Sequence, residues 1–200
     1  LLDEYVYSDA VIGWRYPEIF ADQIRPFEAS WKGLWLHDSI QPERVARAAP
    51  LVNKIWCISN YHASKYQGVP KIYIGRNGID AHDMPEIGSI SRNPYKVVYL
   101  STPFRGLDTL LNYWPQIKEK EPRAELHAYY GWESADKMGA TSTEEGKKFK
   151  ESVMESVERL GVVWHGRIGQ SELYKEVMSA GVWGYSCRWN EENCISAYIA

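Results

Sequence analysis

The chain has 200 residues, 23 of them Lys or Arg and 26 Asp or Glu, for a formal net charge of −3. That length supports one large domain or two small ones with a real core, and no disulfide or metal staple is needed to build it. The charges are balanced and spread along the chain, so no broad basic face is available for nucleic acid or an anionic membrane.

Cys57, Cys187 and Cys194 are too few and too irregular for a disulfide framework or a zinc site. No N-x-[ST] acceptor, secretory signal or apolar run of roughly 18 residues occurs. These features predict a reducing, cytoplasmic setting. The chain opens on Leu1, and its last residues read as a helix in progress, which predicts a fragment of a longer protein.

In chain order, residues 9–14, 32–37, 53–59 and 71–74 are short, apolar and rich in β-formers, as strands require. Helical stretches fall between them at about 17–24, 42–48 and 60–67. Pro42 suits a first helical turn, with Ser39 upstream as a cap candidate. Residues 75–94 crowd Gly, Pro, Ser, Asn and Asp with little periodicity, which marks a linker.

A second series follows, with strands at 95–100, 124–130, 161–165 and 181–186 and helices at 106–120, 143–160 and 171–180. The spacing of Thr141 and Ser142 to Glu144 and Glu145 fits a capping box. Phe149, Val153, Val157 and Leu160 form one helical stripe. Strand–helix alternation predicts α/β architecture with two Rossmann-like parallel-sheet units, each incomplete. Residues 1–93 form the first with its crossover linker, and residues 94–200 form the second.

In open parallel sheets, ligands gather beyond the carboxyl ends of the strands. Ser101-Thr102-Pro103-Phe104-Arg105-Gly106 follows strand 95–100 and leads into a helix. Free N–H groups, a positive helix end and a cation there make a diphosphate seat. Arg188, Asn190, Glu191, Glu192 and Asn193 follow strand 181–186, where a carboxylate can accept hydrogen bonds from sugar hydroxyls. His37 ends strand 32–37 and is placed to act on an acceptor or stabilise developing charge. His62, His82, His127 and His165 show no metal-ligand spacing, and no Walker, G-x-G-x-x-G or G-x-S-x-G motif occurs. Without a glycine-rich fingerprint, a nicotinamide-dependent oxidoreductase is disfavoured.

The run YLSTPFRGLDTLL from Tyr99 to Leu111, followed by Trp114-Pro115-Gln116-Ile117 and Glu121 to Leu126, resembles the second domain of GT-B glycosyltransferases of the group 1, family 4-like type. Tyr130-Gly131, His165-Gly166-Arg167, Gln170 to Leu173 and the tail WNEENCISA add to the resemblance. Leu36-His37-Asp38, Ile58-Ser59 and Asn77-Gly78-Ile79-Asp80 resemble that family's first-domain and crossover signatures. The resemblance implies sugar transfer from a nucleotide-diphospho-sugar donor to a hydroxyl of a glycan, lipid or other acceptor, with anomeric retention and no metal or other cofactor. The first unit would lie on the acceptor side, and the second would bind the donor.

By position, the resemblance makes Arg105 the basic residue for the donor diphosphate, with Ser101, Gly106, Gly131 and Asn193 lining the donor. Glu191 becomes the first glutamate of an E-x7-E motif facing the donor sugar, and His37 a histidine near the reacting centre. Asn77 and Gly78 border the cleft at the crossover. Two positions depart from the pattern. Ile199 stands where the second glutamate belongs, and Asn193 where a Phe is common. Ile199 favours an alternative, a non-catalytic GT-B-like binding or scaffold protein. Incomplete sheets predict self-association through open edges, and membrane association of the parent protein stays open.

Overall fold

The structure is a computed structural model that describes residues 6–22 and 27–200, with the side chains of Val6 and Phe27 left aside. It divides into two compact units. The first comprises residues 1–78 together with Glu191–Ile195. The second comprises residues 79–190 and Ser196–Ala200.

The first unit carries a sheet of β1 (Val6–Trp14), β2 (Phe27–Trp35), β3 (Lys54–Cys57) and β4 (Ile72–Ile74), in that order and parallel throughout. Between the strands lie α1 (Glu18–Ala21), α2 (Pro42–Ala48) with a 3-10 turn at Ala49–Leu51, and α3 (Asn60–Ser64). Leu34, Leu36, Val45, Ala48, Ile55 and Cys57 are almost fully buried and form the core under these helices. In-register pairing sets Trp14, Trp35, Trp56 and Tyr73 in one row across the sheet. Gly33 is needed beside them, because a Cβ there would meet the Trp56 and Trp31 rings at 2.5 and 2.6 Å.

The second unit orders its parallel strands β7-β6-β5-β8: β5 (Asn93–Tyr99), β6 (Glu125–Tyr129), β7 (Val163–Gly166) and β8 (Ala180–Trp183). The helices are α4 (Leu107–Lys120), α5 (Glu133–Lys137), α6 (Glu144–Arg159), α7 (Gln170–Met178) and α8 (Ser196–Ile199). One core joins Val97, Tyr99, Leu126 and Ala128 to Leu107, Leu111 and Trp114 of α4 and Val153 and Val157 of α6. The opposite face joins Val98, Leu100 and Tyr129 to Val177 of α7. Strands buried on both faces read as apolar runs, which is why the sequence exposes them.

The two parallel α/β sheets match the expected fold class. Local details differ. The first helix ends at Ala21, and residues 23 and 24 of its expected range lie outside the described residues. α2 is capped at Gln41, with Pro42 in its first turn, and the Ser39 hydroxyl is engaged elsewhere. α6 is capped by Thr143, whose hydroxyl accepts from the Gly146 N–H at 3.0 Å. Thr141 bonds Asp136 instead. The third residue after the cap is Gly146, so no reciprocal box forms. α5 is a five-residue helix, too short to show a hydrophobic period in the sequence.

Candidate functional site: strand-end loops of the two units

In the second unit, β5 ends at Tyr99 and the chain enters Ser101–Gly106 before α4. Pro103–Arg105 form a 3-10 turn, and Gly106 caps α4 at φ +111°. Only glycine fits there: a Cβ would meet the Ser186 carbonyl oxygen at 2.1 Å. The Tyr99 hydroxyl donates to the Thr102 carbonyl at 3.0 Å, fixing the loop's start.

The loop after β8 closes on this turn. Ser186 Oγ donates to the Gly106 carbonyl at 2.5 Å, and Trp189 Nε1 to the Phe104 carbonyl at 3.2 Å. Arg188 Nη2 reaches both Asp108 oxygens at 2.8 and 2.9 Å in the first turn of α4. Ser101, Arg105 and Gly106 are therefore brought together with residues 186–189 on one rim. Arg105 is half-buried there, beside the N-terminus of a fourteen-residue helix. Gly131 follows β6 at φ +71° and is buried, next to Tyr130, whose N–H donates to the Gly166 carbonyl at 2.8 Å. Positive backbone N–H ends and a guanidinium at strand termini can hold an anion.

In the first unit, His37 lies two residues beyond the end of β2 rather than on it. Its ring rests against Trp14 and Trp35, at centroid distances of 5.5 and 5.2 Å. Burial lowers its pKa, Arg15 adds to that, and Asp38 opposes it. The imidazole is therefore neutral near pH 7 and free to accept a proton. Arg15 pairs with Asp38 at 3.5 Å and covers the Trp14 ring.

His62 was not singled out by the sequence, yet it holds this loop. It is fully buried, its Nε2 donates to the Asp38 carbonyl at 3.1 Å, and its Nδ1 faces the Ile58 N–H at 3.4 Å. Ser59 caps α3 by accepting from the His62 N–H at 3.0 Å. The Ser-x-x-His spacing at a helix start was the available signal.

Glu191–Ile195 belong to the first unit. Glu192, with a side chain 8% exposed, takes hydrogen bonds from Lys65 and Ser39. Asn193 Nδ2 donates to the Ile58 carbonyl at 3.0 Å. Glu191 is half-buried beside them. An ion pair of this stretch is thus made by Glu192, one residue after the glutamate that the resemblance selects. Cys57, beneath it, has its thiol pushed up to about 12 by burial and by Glu192, so it is no nucleophile. Asn77 and Gly78 lie in irregular chain after β4. Gly78 is exposed, and a Cβ there would meet nothing.

By grouping, His37, Asn77, Gly78, Glu191 and Asn193 fall in the first unit, and Ser101, Arg105, Gly106 and Gly131 in the second. Their spacing of 38 residues does not group His127 with His165. The structure sets them side by side across β6 and β7, with Glu176 of α7.

No protein-family model matches the chain. No curated protein matches it in sequence. Solved structures do match in fold. A variant of S. aureus TarM, in complex with fondaparinux, alpha-GlcNAc-glycerol and UDP, superposes with a TM-score of 0.60 over 86% of this chain and 35% of its own, at 13% identity. Anabaena Alr3699/HepE, in complex with UDP and glucose, gives 0.56 over 80% of this chain and 47% of its own, at 12% identity. A second TarM structure gives 0.57 at 14% identity. The chain thus spans about a third to a half of the structures it matches. It has Rossmann-like units of the GT-B type. No helix among the described residues is long and apolar enough to cross a membrane.

Proposed function

We propose that this chain is part of a glycosyltransferase that moves a sugar, with retention, from a nucleotide-diphospho-sugar to an acceptor hydroxyl on a glycan, lipid or other molecule. The observation that carries the reading is the Arg105–Gly106 turn at the start of α4, held by Ser186 and Trp189. It places a cation beside the N-terminus of a fourteen-residue helix, which suits a diphosphate better than a neutral ligand. Fold neighbours solved with UDP, and with UDP and glucose, support a nucleotide-sugar donor.

In this mechanism the leaving diphosphate gathers charge as the glycosidic bond breaks. Arg105 and the α4 N-terminus stabilise it, with Ser101, Gly106, Gly131 and Asn193 shaping the donor seat. The acceptor hydroxyl attacks from the face that the diphosphate leaves. His37, neutral and pinned between two indoles, takes its proton. Glu191 faces the donor sugar, and Asn77 and Gly78 sit at the crossover. No metal or other cofactor takes part in the transfer, and the setting is cytoplasmic.

Ile199, eight residues after Glu191, favours a second reading in which the fold is kept as a binding or scaffold module without transfer. Isoleucine cannot hydrogen-bond a ribose. Binding of a nucleotide that is lost in Arg105→Ala supports the transferase. A folded chain that binds none supports the scaffold.

A further inference from the structure

His127 on β6 and His165 on β7 face each other on the α7 side of the second sheet. Nδ1 of one lies 3.0 Å from Nε2 of the other, with ring planes 17° apart. Glu176 of α7 completes a group whose ligand atoms lie within 4.8 Å of one another. We propose that His127, His165 and Glu176 form a site for a divalent transition ion of the zinc class, with a fourth position for water.

The chemistry of the three donors suits such an ion. Two imidazoles and a carboxylate are a borderline donor set that binds zinc, cobalt or nickel ahead of magnesium or calcium. Two nitrogens bound to one tetrahedral ion at ~2.05 Å lie about 3.3 Å apart, close to the separation found here.

The surroundings orient the ligands. Tyr129 stacks on His165 at 4.3 Å and its hydroxyl bonds Glu176. His127 Nε2 is buried without a hydrogen-bond partner, and Glu125 Oε2 stands 3.8 Å away. A carboxylate behind the far nitrogen is the usual support of a metal-bound histidine. Lys96 is the competitor. Its ammonium lies 2.6 Å from Glu176 Oε2 and 2.8 Å from Ser179 Oγ, so an entering ion must share the carboxylate with it. Lys96 therefore tunes the affinity downward.

The test is titration of the whole chain with Co2+, followed by its visible ligand-field absorption, then displacement by Zn2+. The expected result is saturation at about one equivalent, with affinity at least ~10-fold weaker in His127→Gln and His165→Gln. His82→Gln, at an exposed position, leaves it unchanged. Lys96→Met tightens binding by removing the competing charge. No saturable absorption, or affinity equal to the parent's in both histidine variants, overturns the site. Circular dichroism checks each variant. If a histidine variant does not fold, Lys96→Met decides: tighter binding supports the site, and unchanged binding overturns it.

Discussion

The Ser186 hydroxyl donates to the Gly106 carbonyl at 2.5 Å, and Gly106 holds a φ of +111° directly beneath it. This joins the loops after β5 and β8 and fixes the N-terminus of α4 beside Arg105. Gly106→Ala would add a Cβ 2.1 Å from the Ser186 carbonyl oxygen in a left-handed backbone. The expected loss is about 2 kcal/mol or more, read as a lower urea midpoint. A midpoint equal to the parent's would show that the turn is not so constrained.

Glu192 and Lys65 make the second testable tie. Lys65 is a quarter exposed and Glu192 nearly buried, so removing the carboxylate takes the counter-ion from Lys65, whose ammonium keeps its bond to Ser39 Oγ, and takes the acceptor from the Ser39 hydroxyl. Glu192→Ala is expected to cost about 2–3 kcal/mol, and Glu192→Gln less, because an amide oxygen still accepts. Lys65→Met in the Glu192→Ala background should recover part of the loss. Additive losses in the double variant would rule out the coupling.

Buried histidines set a pH dependence. Burial lowers the pKa of His37, His62 and His127, so the folded state binds fewer protons than the unfolded chain near its own value of about 6.5. Stability is therefore full above about pH 6.5 and falls as pH drops below it. Urea midpoints measured from pH 7.5 to 5.5 should decline, with a shallower slope in His62→Gln. A flat profile contradicts the neutral, buried state.

The fold was legible because both sheets are parallel, so short strands rich in β-formers recur at βα spacing, and β5 and β6 of the second sheet are buried on two faces and read as apolar runs. The rim at Ser101–Gly106 was legible for the same reason: strand, hydroxyl-rich turn, glycine, helix. The caps at Gln41 and Thr143 were not, since several hydroxyls stand near each helix start and only the backbone path selects one. The Glu192–Lys65 pair spans 127 residues, and neighbouring Glu191 is the same residue type, so sequence spacing cannot choose between them. His127 and His165 lie 38 residues apart and meet only through the β6–β7 register.

The open edges and exposed aromatic residues of the first sheet, including Trp14 at 54% and Tyr73 at 47%, predict self-association of the chain. Size exclusion with light scattering should report a mass above that of one chain, rising with concentration. A single sharp peak at the monomer mass contradicts this.

The central claim is a nucleotide-diphosphate seat at Arg105. Calorimetric titration of the chain with UDP, GDP and ADP and their common sugar conjugates, repeated on Arg105→Ala, tests it most directly. The account predicts saturable binding of one nucleotide, weakened at least ~10-fold in the variant, as expected when a charge-assisted contact worth about 1.5–3 kcal/mol is removed. Absence of binding by every nucleotide, from a chain shown to be folded, would contradict it.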